Sequence, residues 1–266
     1  MESGHDQNGA SLVGQAFNPL SLDLVSKLAR KLESKKEIPI PTPESRYRVS
    51  SLVKMCPREE VLRHIHQVKK FETIDARLQR VFDFGTAIHE FVQNNWFSDW
   101  LVGEWACDSC GVVHPGTKPQ DCGCGGKSFR YKEIRMETDL VTGHTDGVLL
   151  IDGKQVLLEI KTCSSKQFEL IVNIRKSPLQ PHVDQVQLYM WLLGVSEAVI
   201  VYLEKDESLV TQFTIKRDDS VAESFIKRIK DAREGMASKT PPPREICANS
   251  TCARAKACST RSLCFA

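Results

Sequence analysis

Residues 143–162 read GHTDGVLLIDGKQVLLEIKT, two apolar runs separated by Asp152-Gly153. Asp-Gly between apolar runs is a hairpin signal, so the runs are expected to pair as adjacent strands. The candidate strands here are 128–140, 144–151 and 155–162. Side chains alternate along a strand, so Glu159 and Lys161 share a face while Ile160 points into the core. Asp146 stands just before the first strand of the hairpin and therefore falls near the end of the second. Two carboxylates and a lysine thus converge at a strand end. Hard oxygen ligands of this kind suit Mg²⁺ or Mn²⁺. Phosphodiester hydrolysis needs such a set, because the ion offsets phosphate charge and acidifies a water that the lysine can orient. An isolated E-x-K is common by chance; the acid ahead of the preceding strand is what gives this one weight.

Ahead of the hairpin, His89 lies in GTAIHE, late in a helical pattern over 73–98. Ile74, Leu78, Val81, Phe82, Ile88, Phe91 and Val92 lie on or near one face of it. After the hairpin comes a helix at 180–194, stopped by Gly194. On it Gln185 and Tyr189 are spaced i, i+4 and share a face. Strands at 197–204 and 209–216 and a helix at 219–236 follow, ended by Pro241-Pro242-Pro243. Before residue 73, residues 1–20 are expected to be disordered. Leu20, Leu24, Leu28 and Leu32 mark an amphipathic helix near 20–35, and 38–45 reads as a linker. A helical pattern over 46–66 has Ser50 or Ser51 as its expected N-cap. The fold class is therefore mixed α/β. Residues 1–45 form a leader and 46–266 the main domain.

The ordered set G-x-x-x-H, D, E-x-K, Q-x-x-x-Y resembles the PD-(D/E)XK nuclease superfamily, in its RecB-like exonuclease branch. The resemblance covers roughly residues 46–266. It implies a mixed sheet flanked by helices. It implies metal binding by His89, Asp146 and Glu159 with the Ile160 backbone carbonyl, and water activation by Lys161. Gln185 and Tyr189 would place DNA and the lysine. Thr145, where the superfamily motif has Pro, is the departure.

Ten cysteines fall into two clusters and two singletons. Cys107-x2-Cys110-x11-Cys122-x-Cys124 lies in a Gly-rich stretch, 104–127, read as an inserted zinc knuckle, with His114 an alternative ligand. So little apolar content would need Zn²⁺ to fold. YRVSSLVKMCPRE (47–59) is similar to the Cys-Pro segment that opens iron–sulfur members of the branch. The likeness implies a [4Fe–4S] cluster held by Cys56 and the 241–266 tail. Cys258 and Cys264 have the matching spacing, and Cys252, with Cys247 as the alternative, supplies the remaining ligand. A tail that binds zinc by itself is the competing reading. Cys163 reads as a buried thiol.

The chain has 266 residues, a formal charge of +2, 41% hydrophobic and 26% charged residues, which excludes wholesale disorder. No apolar run reaches membrane-spanning length, and MESGHDQNGA is no secretion signal, so a reducing, cytoplasmic setting without membrane contact is expected. The basic excess gathers in the tail, at Lys239, Arg244, Arg254, Lys256 and Arg261 against Glu245. No base-reading module is visible, and Gly126-Lys127-Ser128 lacks the earlier glycine of a phosphate loop. The resemblance, with no base-reading module, implies an exonuclease acting on single-stranded DNA or DNA ends, for which a helicase or recombination protein would be a partner in trans. Its setting would be recombination, repair, CRISPR adaptation or phage DNA processing. The rival is a non-catalytic nucleic-acid-binding protein scaffolded by its metals.

Overall fold

The computed structural model describes residues 23–266. The disorder expected for 1–20, and Leu20 of the leader helix, lie outside the described residues. Helix α1 (Leu24–Leu32) starts at Asp23, whose carboxylate accepts the Ser26 N–H. It stops at Glu33, and the next residues form strand β1 (Ser34–Ile38), where a helix end and a linker were expected. The short β2 (Tyr47–Arg48) and α2 (Val49–Leu52) follow. No serine caps α2: Arg48 holds the cap position without a side-chain bond. Helix α3 (Pro57–His66) begins after Cys56, with Pro57 in the first turn, where its missing N–H costs nothing.

Strand β3 (Lys70–Ile74) pairs antiparallel with β1. That pairing takes the end of the expected helix and Ile38 of the expected linker into a sheet, while residues 39–46 form neither helix nor strand. Arg63, 2% exposed, also donates to the carbonyls of Ile38 and Pro39, both at 2.9 Å. Helix α4 (Ala76–Phe91) is capped by Asp75, which accepts the Leu78 N–H at 2.7 Å. Ile74 therefore belongs to β3, and a widened turn, Val92–Trp96, ends the helix early. Only part of the expected apolar face is used. Ile88 and Val92 join the core, whereas Leu78, Val81, Phe82 and Phe91 stay exposed.

Next come β4 (Leu101–Cys107), β5 (Val113–Thr117), β6 (Phe129–Lys132), β7 (Ile134–Glu137), β8 (Val141–Thr145), β9 (Gly147–Ile151) and β10 (Lys154–Cys163). Then follow α5 (Ser165–Glu169), α6 (Gln180–Leu193), β11 (Glu197–Glu204), β12 (Val210–Lys216), α7 (Asp219–Ser238), α8 (Ala253–Lys256) and α9 (Arg261–Cys264). The main sheet runs β12-β11-β10-β9-β4-β5, with β6 also on β4. Only β10–β11 is parallel in it. Asp152 and Gly153, at φ 50° and 77°, make the left-handed turn that a tight β9–β10 hairpin requires.

Core lies on both faces of this sheet. Leu157, Ile200 and Tyr202 pack with α2, α6 and α7 on one side. Leu158, Ile160 and Val201 pack with Val92, Leu101 and Trp105 on the other. Glu104–Cys107, read from sequence as part of an insert, are sheet residues of β4. The two long strands expected around residues 128–151 are each divided. β6 and β9 lie in the main sheet, while β7 and β8 form a second, three-stranded sheet with β2. Among the described residues no helix is long and apolar enough to cross a membrane.

Candidate active site

The division of those strands builds the site. Glu133 is the single residue between β6 and β7, and Asp146 the single residue between β8 and β9. Each marks where the chain passes between the two sheets. Strands β7 and β8 pair antiparallel with Ile134 opposite Thr145, so the register, continued one step, sets Glu133 opposite Asp146. Helix α4 adds His89. One ligand atom from each of His89, Glu133 and Asp146 lies within 4.8 Å of the others.

Asp146 is held from three sides. Its Oδ1 lies 3.1 Å from His89 Nδ1, its Oδ2 accepts the Ile160 N–H at 2.5 Å, and its carbonyl accepts from Gln93 Nε2 at 2.7 Å. Gln93, 3% exposed, also reaches Glu133 at 3.2 Å. Burial works against a charged His89, but the Asp146 hydrogen bond and charge outweigh it and raise the imidazole pKa. Burial raises Glu133, and the Asp146 charge adds to the effect. Crowded carboxylates with hard oxygen donors beside one imidazole fit a divalent cation such as Mg²⁺ or Mn²⁺.

On β10, Glu159 and Lys161 do share a face: Lys161 Nζ lies 2.5 Å from Glu159 Oε1. Ile160 is fully buried on the opposite face. Burial, with the Asp146 charge, pushes Glu159 up to about 7 despite Lys161. Burial also opposes the Lys161 charge, yet the Glu159 and Asp146 carboxylates prevail and hold its ammonium protonated. From α6, Gln185 Oε1 accepts from Lys161 Nζ at 3.3 Å. Tyr189 lies deeper, 3% exposed in the core; burial raises its pKa, against a hydrogen bond from Gln185. A Cβ at Gly143 would come within 3.0 Å of its phenol oxygen.

Sequence reasoning missed Glu133 and Gln93. Gln93 had a signal, standing four residues after His89 on the same helical face. Glu133 had none, because its place depends on the β7–β8 register.

The four cysteines of the knuckle converge. Cys107 and Cys124 sulfurs are 3.7 Å apart, those of Cys110 and Cys122 3.6 Å. A tetrahedron with Zn–S bonds of about 2.3 Å has edges of about 3.8 Å, so four thiolates here fit zinc. His114 Nε2 lies 3.4 Å from Cys122 Sγ, placed to bond to the thiolate. Backbone N–H groups of Cys110 and Ser109 bring Cys107 down to about 7, burial opposing.

Cys56, Cys247, Cys258 and Cys264 line one cavity of about 670 Å³ between α3, the end of α7 and the tail. Cys252 stands beside Cys247 and caps α8 through the Ala255 N–H. Arg58 Nε points to Cys264 Sγ at 3.3 Å. Cys163 is buried, its thiol pushed up to about 11 by burial and the Glu204 charge.

No family model matches the chain, and no curated protein does. Among solved structures, SSO0001 is similar at 19% identity and TM-score 0.39, over 83% of this chain and 86% of that one. The alkaline exonuclease LHK-Exo of Laribacter hongkongensis, solved with dAMP, is 14% identical at TM-score 0.42, over 74% and 90%. A phage-related exonuclease from Haemophilus somnus 129PT is 14% identical at TM-score 0.33, over 74% and 95%.

Proposed function

We propose that this chain is a Mg²⁺- or Mn²⁺-dependent deoxyribonuclease of the PD-(D/E)XK type, an exonuclease hydrolysing phosphodiester bonds in single-stranded DNA or at DNA ends. The observation that carries the reading is that Asp146 bonds to the backbone between Glu159 and Lys161, which pair with each other, while His89 and Gln185 close on them from helices on opposite faces of the sheet. A protein that only binds a polyanion gains nothing from burying carboxylates against it.

His89, Asp146, Glu159 and the Ile160 carbonyl, with Glu133, are the residues that would hold the ion. When bound, it would supply neutralisation of phosphate charge and acidify a water. The chain's own groups do the rest. Lys161 brings an ammonium to the reacting phosphate, where it stabilises developing negative charge and orients the water. Gln185 fixes that ammonium from α6. Gln93 fixes the Glu133 carboxylate and the Asp146 backbone. The Ile160 N–H sets the Asp146 rotamer. Burial on both sides of β10 keeps these groups from relaxing away from one another, so little reorganisation accompanies reaction.

The same proposal assigns Zn²⁺ to Cys107, Cys110, Cys122 and Cys124. It assigns a [4Fe–4S] cluster to Cys56, Cys258 and Cys264 with Cys252 or Cys247. Digestion of end-labelled single- and double-stranded DNA with Mg²⁺ or Mn²⁺ tests the enzyme reading. Asp146→Asn or Lys161→Ala should lower cleavage by at least about 100-fold, the scale of one lost transition-state contact, with DNA binding kept. Wild-type rates in either variant would sink the assignment.

A further inference from the structure

One groove near the active site has no part in the chemistry above. It lies between α4 and the cysteine knuckle and has a volume of about 570 Å³. Phe91 and Asn94 form one wall; Lys118, Lys127 and Arg130 stand on the other. Phe91 is 54% exposed, and its ring stands nearly perpendicular to that of Trp96, with centroids 6.0 Å apart. Its acidic lining is Glu90 and Asp108. Arg130 approaches Asp108 at 3.4 Å, and Lys127 approaches Asp121 at 3.8 Å. These pairs are mostly solvent-exposed; such pairs are weak and readily exchange for phosphates. The groove also adjoins the site. Asn94 accepts the Tyr131 N–H at 2.7 Å, while its neighbour Gln93 holds Glu133 and Asp146.

We propose that this groove seats single-stranded DNA flanking the phosphate to be cleaved. Lys118, Lys127 and Arg130 contact its phosphates, and one base stacks on Phe91. The combination selects a single strand. Cations alone would hold any polyanion, but stacking on an exposed aromatic ring needs a base whose own face is uncovered, and duplex stacking hides it. The inference rests on the nuclease reading and gives the knuckle a role in substrate binding, since its zinc would fix the loop that carries Lys127 beside Arg130 of β6.

Binding of a fluorescent oligothymidylate to the intact, metal-loaded protein tests it, with no Mg²⁺, Mn²⁺ or chelator added. Phe91→Ala should weaken binding about tenfold, while Phe91→Trp should hold or strengthen it. Lys127→Gln with Arg130→Gln should lower the slope of log affinity against log salt by about 1 to 2. Both side chains are largely exposed, so the fold is not at stake. Duplex of the same length should respond little to Phe91→Ala. Unchanged affinity and salt slope in these variants would overturn the proposal. So would equal losses for single strand and duplex on Phe91→Ala, or a change in oligomeric state without a change in DNA binding. Cleavage is not part of this readout, so a chain that fails to cut DNA would defeat the nuclease reading separately.

Discussion

At the scale of the residue, Glu133 adds a second carboxylate beside Asp146, and Gln93 clamps it. Glu133→Gln keeps the shape and the Gln93 contact but removes the charge. If Glu133 helps hold the cation, Mn²⁺ affinity measured by calorimetry should fall about 10- to 100-fold, the range for disturbing a ligand or its support. Unchanged affinity would return Glu133 to a spectator role. His182 offers a test by pH. Burial first, then the Lys161 and Lys54 charges, push it down to about 4. The Tyr202 hydroxyl accepts the Leu179 N–H at 3.1 Å and pairs with His182 Nδ1 at 2.8 Å, a contact that a neutral ring makes without a charge. With its folded pKa depressed, the unfolded chain takes the proton first, near the ordinary value of about 6.5. Stability is then complete above that pH and drains away as pH falls toward 4. Between pH 7 and pH 5 the loss from this group should be about 1–2 kcal/mol, allowing for partial exposure. Denaturant unfolding at both pH values should show His182→Gln losing less than wild type by that amount. Equal losses would show that His182 titrates normally.

At the scale of the element, the site is made where strands end. The β9–β10 hairpin was legible because Asp152-Gly153 dictates its turn locally, and alternation then put Glu159 and Lys161 together. His89, Gln185 and Tyr189 were legible as an ordered pattern, and Gly194 as a helix stop. Other features were not, for distinct physical reasons. The passage of the chain between two sheets at Glu133 and Asp146 depends on which strands pair, and pairing is non-local. The α4 periodicity marked a face that could be buried, but periodicity does not say what covers it, and Leu78, Val81 and Phe82 are left exposed. Strand β1 was hidden in the charged run SKKEI, whose edge pairing with β3 uses backbone groups rather than apolar side chains. In the knuckle, two glycines differ in what surrounds them. A Cβ on Gly126 would lie 2.8 Å from Cys107 Sγ, whereas one on Gly123 would meet nothing within 4 Å. Gly126→Ala should therefore release zinc to a competing chelator much more readily than wild type, and Gly123→Ala should not. A zinc dye assay reads both, and equal retention would mean that the thiols tolerate a shift the packing forbids.

At the scale of the whole molecule, the tail returns to α3, near the start of the main domain. Arg58 donates to the Pro242 carbonyl at 2.8 Å. Glu59, 9% exposed, accepts from Lys70 and from Ser259 Oγ, each at 2.9 Å. Burial opposes the Glu59 charge, but these bonds outweigh it and lower its pKa. Closure of α3 on the tail thus has a polar latch and, alongside it, the thiol-lined cavity. A latch of a few hydrogen bonds contributes little net stability, about 1 kcal/mol for each bond. A cluster bound by thiolates from both ends would act as a crosslink across some 190–210 residues, of the kind that restrains the unfolded chain most. The knuckle, by contrast, draws its four thiolates from 18 consecutive residues and closes only itself. The two centres should therefore separate cleanly. Protein purified without oxygen should be brown and carry both iron and zinc. Cys56→Ser or Cys264→Ser should lose the iron and colour and lower the melting temperature of the whole domain, because the ends are no longer joined. Cys107→Ser should lose zinc, keep the colour and melt near wild type at the main transition. Comparing Cys247→Ser with Cys252→Ser then identifies the remaining ligand, since the cavity is lined by Cys247 while Cys252 caps α8. A colourless anaerobic preparation containing zinc alone would end the iron–sulfur assignment. Iron loss on Cys107→Ser would show that the two sets of ligands had been divided wrongly.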